Sequence, residues 1–251
     1  MILTLVRHGE TLSNATGTWQ GQGDSQLSPL GLKQAELLGE RLERVHFDRV
    51  VSSDLRRAVE TSELLGKPYT CDPAFREIDL GSWEGLTREQ VREAFPDELA
   101  ALSRGEDLPV GGGESWLDVQ RRTLAALEEL RGEQDVLLVA HGGVILTLMC
   151  ALVGRGVGTV RPLGRLLNTS MTTIELGDET IVHRYNDADH CDADGVWREA
   201  AKRGHDVAIQ PGGEPGIVGD ARLGELEPGR CGLLEVSSDK TVVAAWNVVR
   251  P

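Results

Sequence analysis

Nitrogen-bearing side chains follow three predicted strands of this chain at the point where each strand ends. Arg7 and His8 follow the apolar residues 2–6, Arg57 comes shortly after residues 47–51, and His141 follows the apolar residues 135–140. Because helices join these strands, the three ends lie at the same edge of one sheet, which is where open α/β sheets bind ligands. Guanidinium and imidazole groups gathered at that edge could bind a small anionic ligand such as a phosphate ester.

The overall charge limits the ligands that such a cluster could serve. The 251-residue chain has 40 acidic and 26 basic side chains, which gives a formal charge of −14. A nucleic acid or an anionic membrane would require a basic surface, so we expect neither as a partner. A small phosphorylated substrate needs only a local group of cations and is compatible with this composition. At this length the chain can form one α/β domain with an addition, or two small domains.

Cysteine usage and hydropathy indicate an ordinary cytoplasmic protein. The four cysteines lie far apart and form no CxxC pair: Cys71, Cys150, Cys191 and Cys231. This spacing favours free thiols over a zinc site or a disulfide framework. Arg7 interrupts the N-terminal apolar run before a signal peptide can form. The apolar residues 144–153 cover about half of the ~20 residues that a membrane span requires, so they predict a core helix.

Local signals predict the elements that must position these side chains. Ser28 and Pro29 are typical of a helix start. Thr87 and Gln90 form a capping box for a helix that Pro96 ends, and Ser115 caps a helix that runs to about Leu130. A hairpin is expected over residues 172–185. Strands that alternate with helices predict a three-layer α/β/α fold with a mostly parallel central sheet.

Three loops complete the predicted site. Residues 13–26 are polar, carry Trp19 and are expected to form one wall, and residues 75–85 concentrate acidic side chains, among them Glu77 and Glu84. The glycines at 111–113 predict either a hinge or a plain linker. Two arginines in the first turn of a helix oppose its dipole. We interpret Arg56 as a solvated surface charge and Arg57 as functional.

The last sixty residues differ from the rest. We expect a catalytic domain over residues 1–190 and an extension over residues 191–251. Residues 196–203 predict a short helix, and residues 232–249 predict two strands that form a β-hairpin. Because an isolated hairpin is marginally stable in water, the extension is expected to pack on the core or on a partner subunit, which leaves a homodimer possible. His183 and His205 are interpreted as surface residues.

Several motifs taken together resemble the histidine phosphatase superfamily, which includes the cofactor-dependent phosphoglycerate mutases. The resemblance covers about residues 1 to 190. It rests on Arg7-His8-Gly9-Glu10, Asn14, Gln20-Gly21, Ser53-Asp54-Leu55-Arg56-Arg57-Ala58, Arg76-Glu77, Gly81-Ser82-Trp83-Glu84-Gly85, Gly113-Glu114-Ser115, Ala140-His141-Gly142-Gly143, Asn168, Asn186-Asp187 and His190.

The resemblance implies a role for each matching residue, with neither a metal nor a cofactor. His8 would be the nucleophile that accepts a phosphoryl group, and Arg7, Arg57 and His141 would hold its oxygens. Glu77 would donate the proton to the leaving oxygen, with Glu84 as its rival. The presence of glycine after His141, where another branch of the superfamily has aspartate, favours Glu77. The positions that would contact substrate are Asn14, Gln20, Gly21 and Gly142.

Alternatives to a phosphatase of small phosphomonoesters remain open at this point. The mutases carry a long insertion with basic residues between the acidic loop and the second histidine. Here no long insertion separates Glu77 from His141, and the intervening segment is acidic, so phosphatase is favoured over mutase. A non-catalytic binding protein would be expected to have lost His8 or Glu77. A metallohydrolase that used His8 and His141 would need carboxylate or further histidine ligands, and the arginines at the site would repel its cation.

Overall fold

One twisted sheet runs through the protein, and its order explains why distant residues meet. The computed structural model describes residues 1–156 and 165–191, together with the backbone of residues 233–234 and 242–244. Up to residue 191 the strands are β1 (Ile2–Arg7), β2 (Arg49–Ser52), β3 (Thr70–Cys71), β4 (Asp135–Ala140), β5 (Met171–Leu176) and β6 (Thr180–Asp187). They lie in the order β3-β2-β4-β1-β5-β6.

The first four strands in this order are parallel, and the last two are antiparallel. β4 pairs in parallel with β1 on one side and with β2 on the other, and β2 pairs in parallel with β3. The hairpin of β5 and β6 joins the edge of β1 in antiparallel orientation. The predicted mostly parallel sheet is therefore confirmed, as is the hairpin expected over residues 172–185.

The C-terminal segment contributes two more short strands to the same sheet. These are β7 (Leu233–Leu234) and β8 (Val242–Ala244), which pair with each other in antiparallel orientation. β8 also pairs in parallel with β6. The two strands predicted within residues 232–249 are thus present, whereas the helix predicted over residues 196–203 lies outside the described residues.

Helices cover both faces of the sheet, as the three-layer prediction requires. They are α1 (Leu12–Thr16), α2 (Pro29–Leu42), α3 (Arg56–Leu64), α4 (Arg88–Ala94), α5 (Pro96–Ser103), α6 (Trp116–Glu128) and α7 (Gly142–Leu152). Their starts follow local chemistry: the Ser28 hydroxyl accepts from the Gly31 amide, and Thr87 and Ser115 each form a capping box. Pro96 follows the end of α4 but also begins α5, because its fixed φ suits a first helical position.

Side chains that alternate along the strands build two apolar clusters. On one face, Leu3 and Leu138 pack in the same cluster as Ile145 of α7. On the other face, Val6 and Leu137 share a cluster that also contains Leu38 of α2 and Ala58 of α3. Val136 to Ala140 of β4 are fully buried, as expected for the centre of a sheet that is covered on both sides.

The predicted core helix at residues 144–153 is confirmed as α7. Six of its side chains are buried, among them Val144, Ile145 and Leu148. Within the described ranges, no helix has both the length and the apolar run needed to cross a bilayer. The N-terminus of α7 begins directly after β4 and so lies at the edge of the sheet where the candidate site forms.

Candidate active site

The sheet brings together the side chains that follow β1, β2 and β4. The imidazole rings of His8 and His141 lie with their centroids 5.2 Å apart. The Arg57 Nε–H group donates to His141 Nδ1 at 3.2 Å. Arg7 lies beside the start of α7, since a methyl group added to Gly142 would lie 3.7 Å from Arg7 Nε. All four side chains are buried, so the predicted cluster of nitrogen groups is present.

The hydrogen bond of His8 determines which nitrogen of its ring is available. His8 Nδ1 lies 2.7 Å from the carbonyl oxygen of Gly9, and because a carbonyl only accepts, Nδ1 must carry the proton. Burial, followed by the charges of Arg57 and Arg7, lowers the pKa of His8 well below 6.5. His8 is therefore neutral near pH 7, and its Nε2 keeps a lone pair.

The second histidine is held in the opposite tautomer. His141 Nδ1 accepts from Arg57, so the proton of the neutral ring resides on Nε2, which donates to the Ser53 hydroxyl at 2.8 Å. Burial and then the charge of Arg57 lower the pKa of His141 well below 6.5. Both ring nitrogens thus have protein partners. An anion that contacts His141 Nδ1 must displace the Arg57 Nε–H group.

Arg57 is the most deeply placed cation of the site. Its side chain is 1% exposed, and besides His141 it donates to the carbonyl oxygens of Gly23 at 3.0 Å and Gly21 at 2.7 Å. Burial is the main reason that its pKa falls to about 10, which still leaves it charged near neutrality. Three of its five N–H groups are used in this way, so the fork retains donors for an anion.

The loop before β5 holds Arg7 and His8 from behind. The Arg7 Nη1 group donates to the carbonyl oxygen of Leu166, and the Asn168 amide donates to the carbonyl oxygen of His8 at 3.0 Å. Thr169 has a φ of 57° and donates its backbone N–H to the carbonyl oxygen of Arg7. These bonds restrain the end of β1 on the side opposite to β4.

Asn14 lies beside the same strand end. Its side-chain oxygen accepts from the Thr11 amide at 3.2 Å and from the Asn168 side chain at 3.4 Å. Because the oxygen is engaged as an acceptor, the amide nitrogen of Asn14 is the group that can donate to an anion.

Glu77 approaches the site from the N-terminus of α7. Its Oε2 atom accepts from the Gly143 amide at 3.0 Å, and its Oε1 atom accepts from the Ile78 amide at 3.0 Å. The carboxylate is half-buried and acts electrostatically on Arg57. A carboxyl group at this helix terminus lies on the edge of the cationic cluster rather than within it.

Glu84, the rival acid, has a different neighbourhood. Its Oε1 atom accepts from the Gln22 backbone N–H at 2.6 Å, and Gly21, with a φ of +52°, packs its Cα against the same carboxylate. Glu84 therefore supports the loop whose carbonyl groups hold Arg57. Gln22 also donates its side-chain amide to the carbonyl oxygen of Glu77 at 3.2 Å.

These features can be compared with known proteins. Residues 3–188 match the model of the histidine phosphatase superfamily (branch 1). The chain belongs to the histidine phosphatase superfamily. A glucosyl-3-phosphoglycerate phosphatase of Mycolicibacterium vanbaalenii is 35% identical over 232 residues, which cover 82% of this chain and 97% of the relative. A metal-independent phosphoserine phosphatase of Arabidopsis thaliana is 35% identical and is covered to 89% by an alignment spanning 83% of this chain.

A solved structure supports the same assignment. The mycobacterial glucosyl-3-phosphoglycerate phosphatase complexed with VO3 has 36% identity and a TM-score of 0.65, and the match covers 69% of this chain and 92% of that one. The resemblance based on sequence motifs is therefore confirmed. In this family member, residues 1–156 and 165–191 contain no group of three or more His, Cys, Asp or Glu side chains able to hold a metal ion.

Three tryptophans near the site, Trp19, Trp83 and Trp116, differ in burial. Trp83 is 2% exposed and belongs to the core, where it meets Trp19 edge-on with ring centroids 6.0 Å apart. Trp19 is 36% exposed. Trp116 is half-buried and packs against Gly143 near the Glu77 carboxylate. Arg56 is exposed and forms an ion pair with Glu60, which confirms its surface interpretation.

Sequence reasoning did not assign Ser53 a function of its own, although it lies in one of the quoted motifs. Ser53 is fully buried and is the hydroxyl that accepts from His141. A serine at the exit of a strand is common, so its type carries little information. Only the pairing of β2 with β4 places it opposite His141.

Proposed function

We propose that this protein is a metal-independent phosphatase that hydrolyses small phosphomonoesters through a phosphohistidine on His8. The observation that carries the proposal is a neutral, buried His8 whose Nε2 lone pair lies among arginines. A phosphohistidine mechanism is general to the family. Phosphoryl transfer depends mainly on positioning and charge stabilisation, and the site supplies both.

The first step is binding of the phosphoryl group against the cations. Arg7 and Arg57 donate to its oxygens, and the Asn14 side chain and the Gly142 backbone N–H supply further donors. To contact the same group, His141 exchanges the Arg57 Nε–H group for a phosphate oxygen. The neutral ring then carries its single proton on Nδ1, and the Ser53 hydroxyl donates a hydrogen bond to the unprotonated Nε2. Gln20 and Gly21 belong to the loop that lies beside this pocket.

The second step transfers the phosphoryl group to the enzyme. His8 Nε2 forms a bond to phosphorus while the bond from phosphorus to the ester oxygen breaks. Glu77 gives its proton to the departing oxygen, so that an alcohol rather than an alkoxide leaves. Its location beside the N-terminus of α7, where the Gly143 and Ile78 backbone N–H groups donate to its two oxygens, supports this proposed role.

Hydrolysis of the intermediate restores the enzyme. The Glu77 carboxylate takes a proton from water, the water oxygen bonds to phosphorus, and the bond between phosphorus and His8 Nε2 breaks. Inorganic phosphate then leaves. His8 returns to its neutral form with the proton on Nδ1, because the Gly9 carbonyl stabilises that tautomer throughout.

The names of two relatives and the exposure of Trp19 support our proposal for the substrate class. Two relatives are phosphatases of small metabolites, a glucosyl phosphoglycerate and phosphoserine by name, and we propose a small phosphorylated metabolite here as well. The partly exposed Trp19, which follows Asn14 in the site loop, is our candidate for contact with the leaving group. Mutase activity would instead return the phosphoryl group to a second hydroxyl of the substrate.

Two histidine variants, assayed on a panel of phosphomonoesters, test the proposal. We expect His8→Ala to abolish phosphate release from a panel of phosphomonoesters, whereas the matched control His183→Ala, which changes an exposed histidine of β6, retains it. Phosphate release that persists in excess chelator is expected. Predominant isomerisation of 3-phosphoglycerate without phosphate release would refute the phosphatase in favour of the mutase.

A further inference from the structure

The ion pair between Arg122 and Glu114 forms hydrogen bonds with the backbone of the loop that carries Glu77. Arg122 extends from α6, and its guanidinium donates to the carbonyl oxygens of Ala74 at 2.6 Å and Glu77 at 3.1 Å. The same guanidinium forms a two-point contact with Glu114, at 2.8 Å and 2.9 Å. The second oxygen of Glu114 also accepts from the Asp79 amide at 3.0 Å.

These two side chains hold the loop on both sides of Glu77. Arg122 binds the carbonyl of Glu77 itself, and Glu114 binds the amide of Asp79, two residues later. Both are about four-fifths buried, with 21% and 24% of their side chains exposed. Burial by itself would raise the pKa of Glu114, but the hydrogen bonds from Arg122 and Asp79 lower it, so the pair is ionised near neutrality.

Close backbone packing adds to this grip. The Glu114 N–H group donates to the carbonyl of Asp79 at 2.9 Å. The Cα atoms of Gly113 and Gly81 face carbonyl groups of the opposite segment so closely that no Cβ would fit. Gly111 and Gly113 therefore pack closely against the acidic loop, whereas a Cβ added at Gly112 would meet nothing within 4 Å.

Glu77 needs such support because its own segment is irregular. The residue lies between two short 3₁₀ turns, Pro73–Phe75 and Gly81–Trp83. No helix or strand ladder determines where its backbone lies. The distance from its carboxyl group to a bound ester oxygen depends on that backbone position, and a displacement near 1 Å can cost about 100-fold in rate.

We propose that Glu114 and Arg122 are positioning residues for the proton donor Glu77, which they serve by fixing its backbone rather than by contacting substrate. This inference rests on the proposed function of Glu77. Loss of this positioning should act on the step that needs the proton. Esters with a poor leaving group, such as alkyl phosphates, require that proton, whereas 2,4-dinitrophenyl phosphate leaves as a stable anion without it.

The test compares kcat/KM of Arg122→Met for an alkyl phosphate and for 2,4-dinitrophenyl phosphate. This ratio reports the first phosphoryl transfer, in which Glu77 acts as the acid. We expect a loss of about 10- to 100-fold on the alkyl ester and less than about threefold on the dinitrophenyl ester. The matched control is Arg121→Met, which removes an exposed arginine from the preceding position of α6 and should change neither value.

A conservative variant separates geometry from charge. Arg122→Lys keeps the positive charge but lacks the planar fork that reaches two carbonyls and Glu114 together, so it should retain the selective defect. Full rescue by lysine would overturn the positioning role in favour of a charge effect. Equal losses on both esters, or no loss on the alkyl ester, would also overturn it. Glu114→Gln provides the same comparison if Arg122→Met does not fold.

Glu77→Gln serves as the reference that distinguishes failure of the positioning inference from failure of the assignment of Glu77 as proton donor. If Glu77→Gln loses activity only on the alkyl ester while Arg122→Met does not, the positioning inference fails and the assignment of Glu77 stands. If Glu77→Gln affects both esters equally, Glu77 is not the proton donor, and the proposed mechanism fails with the inference.

Discussion

Replacement of Gly143 by alanine tests whether the position of the Glu77 carboxyl group limits the reaction. Gly143 is the second residue of α7, and its N–H group donates to Glu77 Oε2 at 3.0 Å. An added methyl group would lie 2.9 Å from Trp116 Cζ3 and 3.2 Å from the Glu77 carboxyl carbon, and nearer still to Glu77 Oε1. The substitution therefore pushes directly against the proposed acid.

The size of the displacement follows from these contacts. Carbon atoms pack at about 3.5–4.0 Å, so the Trp116 ring and the carboxyl carbon must each move by several tenths of an ångström. The Oε1 atom must move by roughly 1 Å, which is enough to cost about 100-fold in kcat, or about 2.7 kcal/mol of transition-state stabilisation. Alanine is a better helix former than glycine by about 1 kcal/mol, so the helix itself is not weakened.

The assay measures kcat with an alkyl phosphate and the inhibition constant of inorganic phosphate. We expect the 100-fold loss in kcat with less than about a threefold change in inhibition, because Arg7 and Arg57 are not displaced. Gly132→Ala is the control, since a methyl group there meets nothing within 4 Å. Wild-type kcat in Gly143→Ala would refute the reasoning, and so would a loss of phosphate binding as large as the loss of kcat.

Three further predictions concern the Ser53 hydroxyl, the buried histidines and the ion pair between Arg41 and Asp187. Ser53→Ala leaves the buried His141 Nε2–H group without its acceptor, and kcat/KM should fall about tenfold. The control Ser52→Ala changes a buried neighbour whose hydroxyl donates to the Ser53 backbone carbonyl, and it should not show this loss. Burial is the main cause that lowers the pKa of His8 and His141 well below 6.5 and the pKa of His190 to about 4. Below pH 6.5 the unfolded chain therefore binds more protons than the folded chain. As the pH falls below 6.5, the free energy of unfolding, measured with denaturant, should decrease by about 1.4 kcal/mol per pH unit for each histidine that stays neutral in the folded protein, and above pH 6.5 these histidines should leave it constant. A flat profile down to pH 5 would contradict this. Arg41→Met breaks a two-point contact with the buried Asp187 and should lower the free energy of unfolding by about 2 to 3 kcal/mol. The control Arg44→Met, which changes an exposed arginine, should alter it little. Equal effects of the two variants would show that the Arg41 contact contributes nothing specific.

The ends of the strands could be predicted because they depend on local pattern and on a general topology rule. Apolar runs at residues 2–6 and 135–140 determine two central strands, and right-handed crossovers place their ends on one edge. These two properties are enough to predict that His8, Arg57 and His141 lie close together. Helix starts at Ser28, Thr87 and Ser115 were equally predictable, since a cap is formed by residues within three positions of one another.

Other features needed the tertiary structure, because their partners have no periodic or local relation in the sequence. The tautomer of His141 depends on Arg57 and Ser53, more than eighty positions away. Nothing in the spacing of Glu114 and Arg122 indicates that they hold the Glu77 loop, and the glycines at 111–113 read as a flexible segment until the opposing backbone is known.

The amino-acid sequence by itself determined which polar groups the protein has available at one edge of a parallel sheet, because hydrophobic periodicity and crossover handedness are properties of short stretches. Only the tertiary structure decided which nitrogen of each histidine carries the proton, and which side chains hold the acid in place. Those outcomes depend on angstrom-scale distances between segments far apart in the chain, and hydrogen bonds form or fail on that scale.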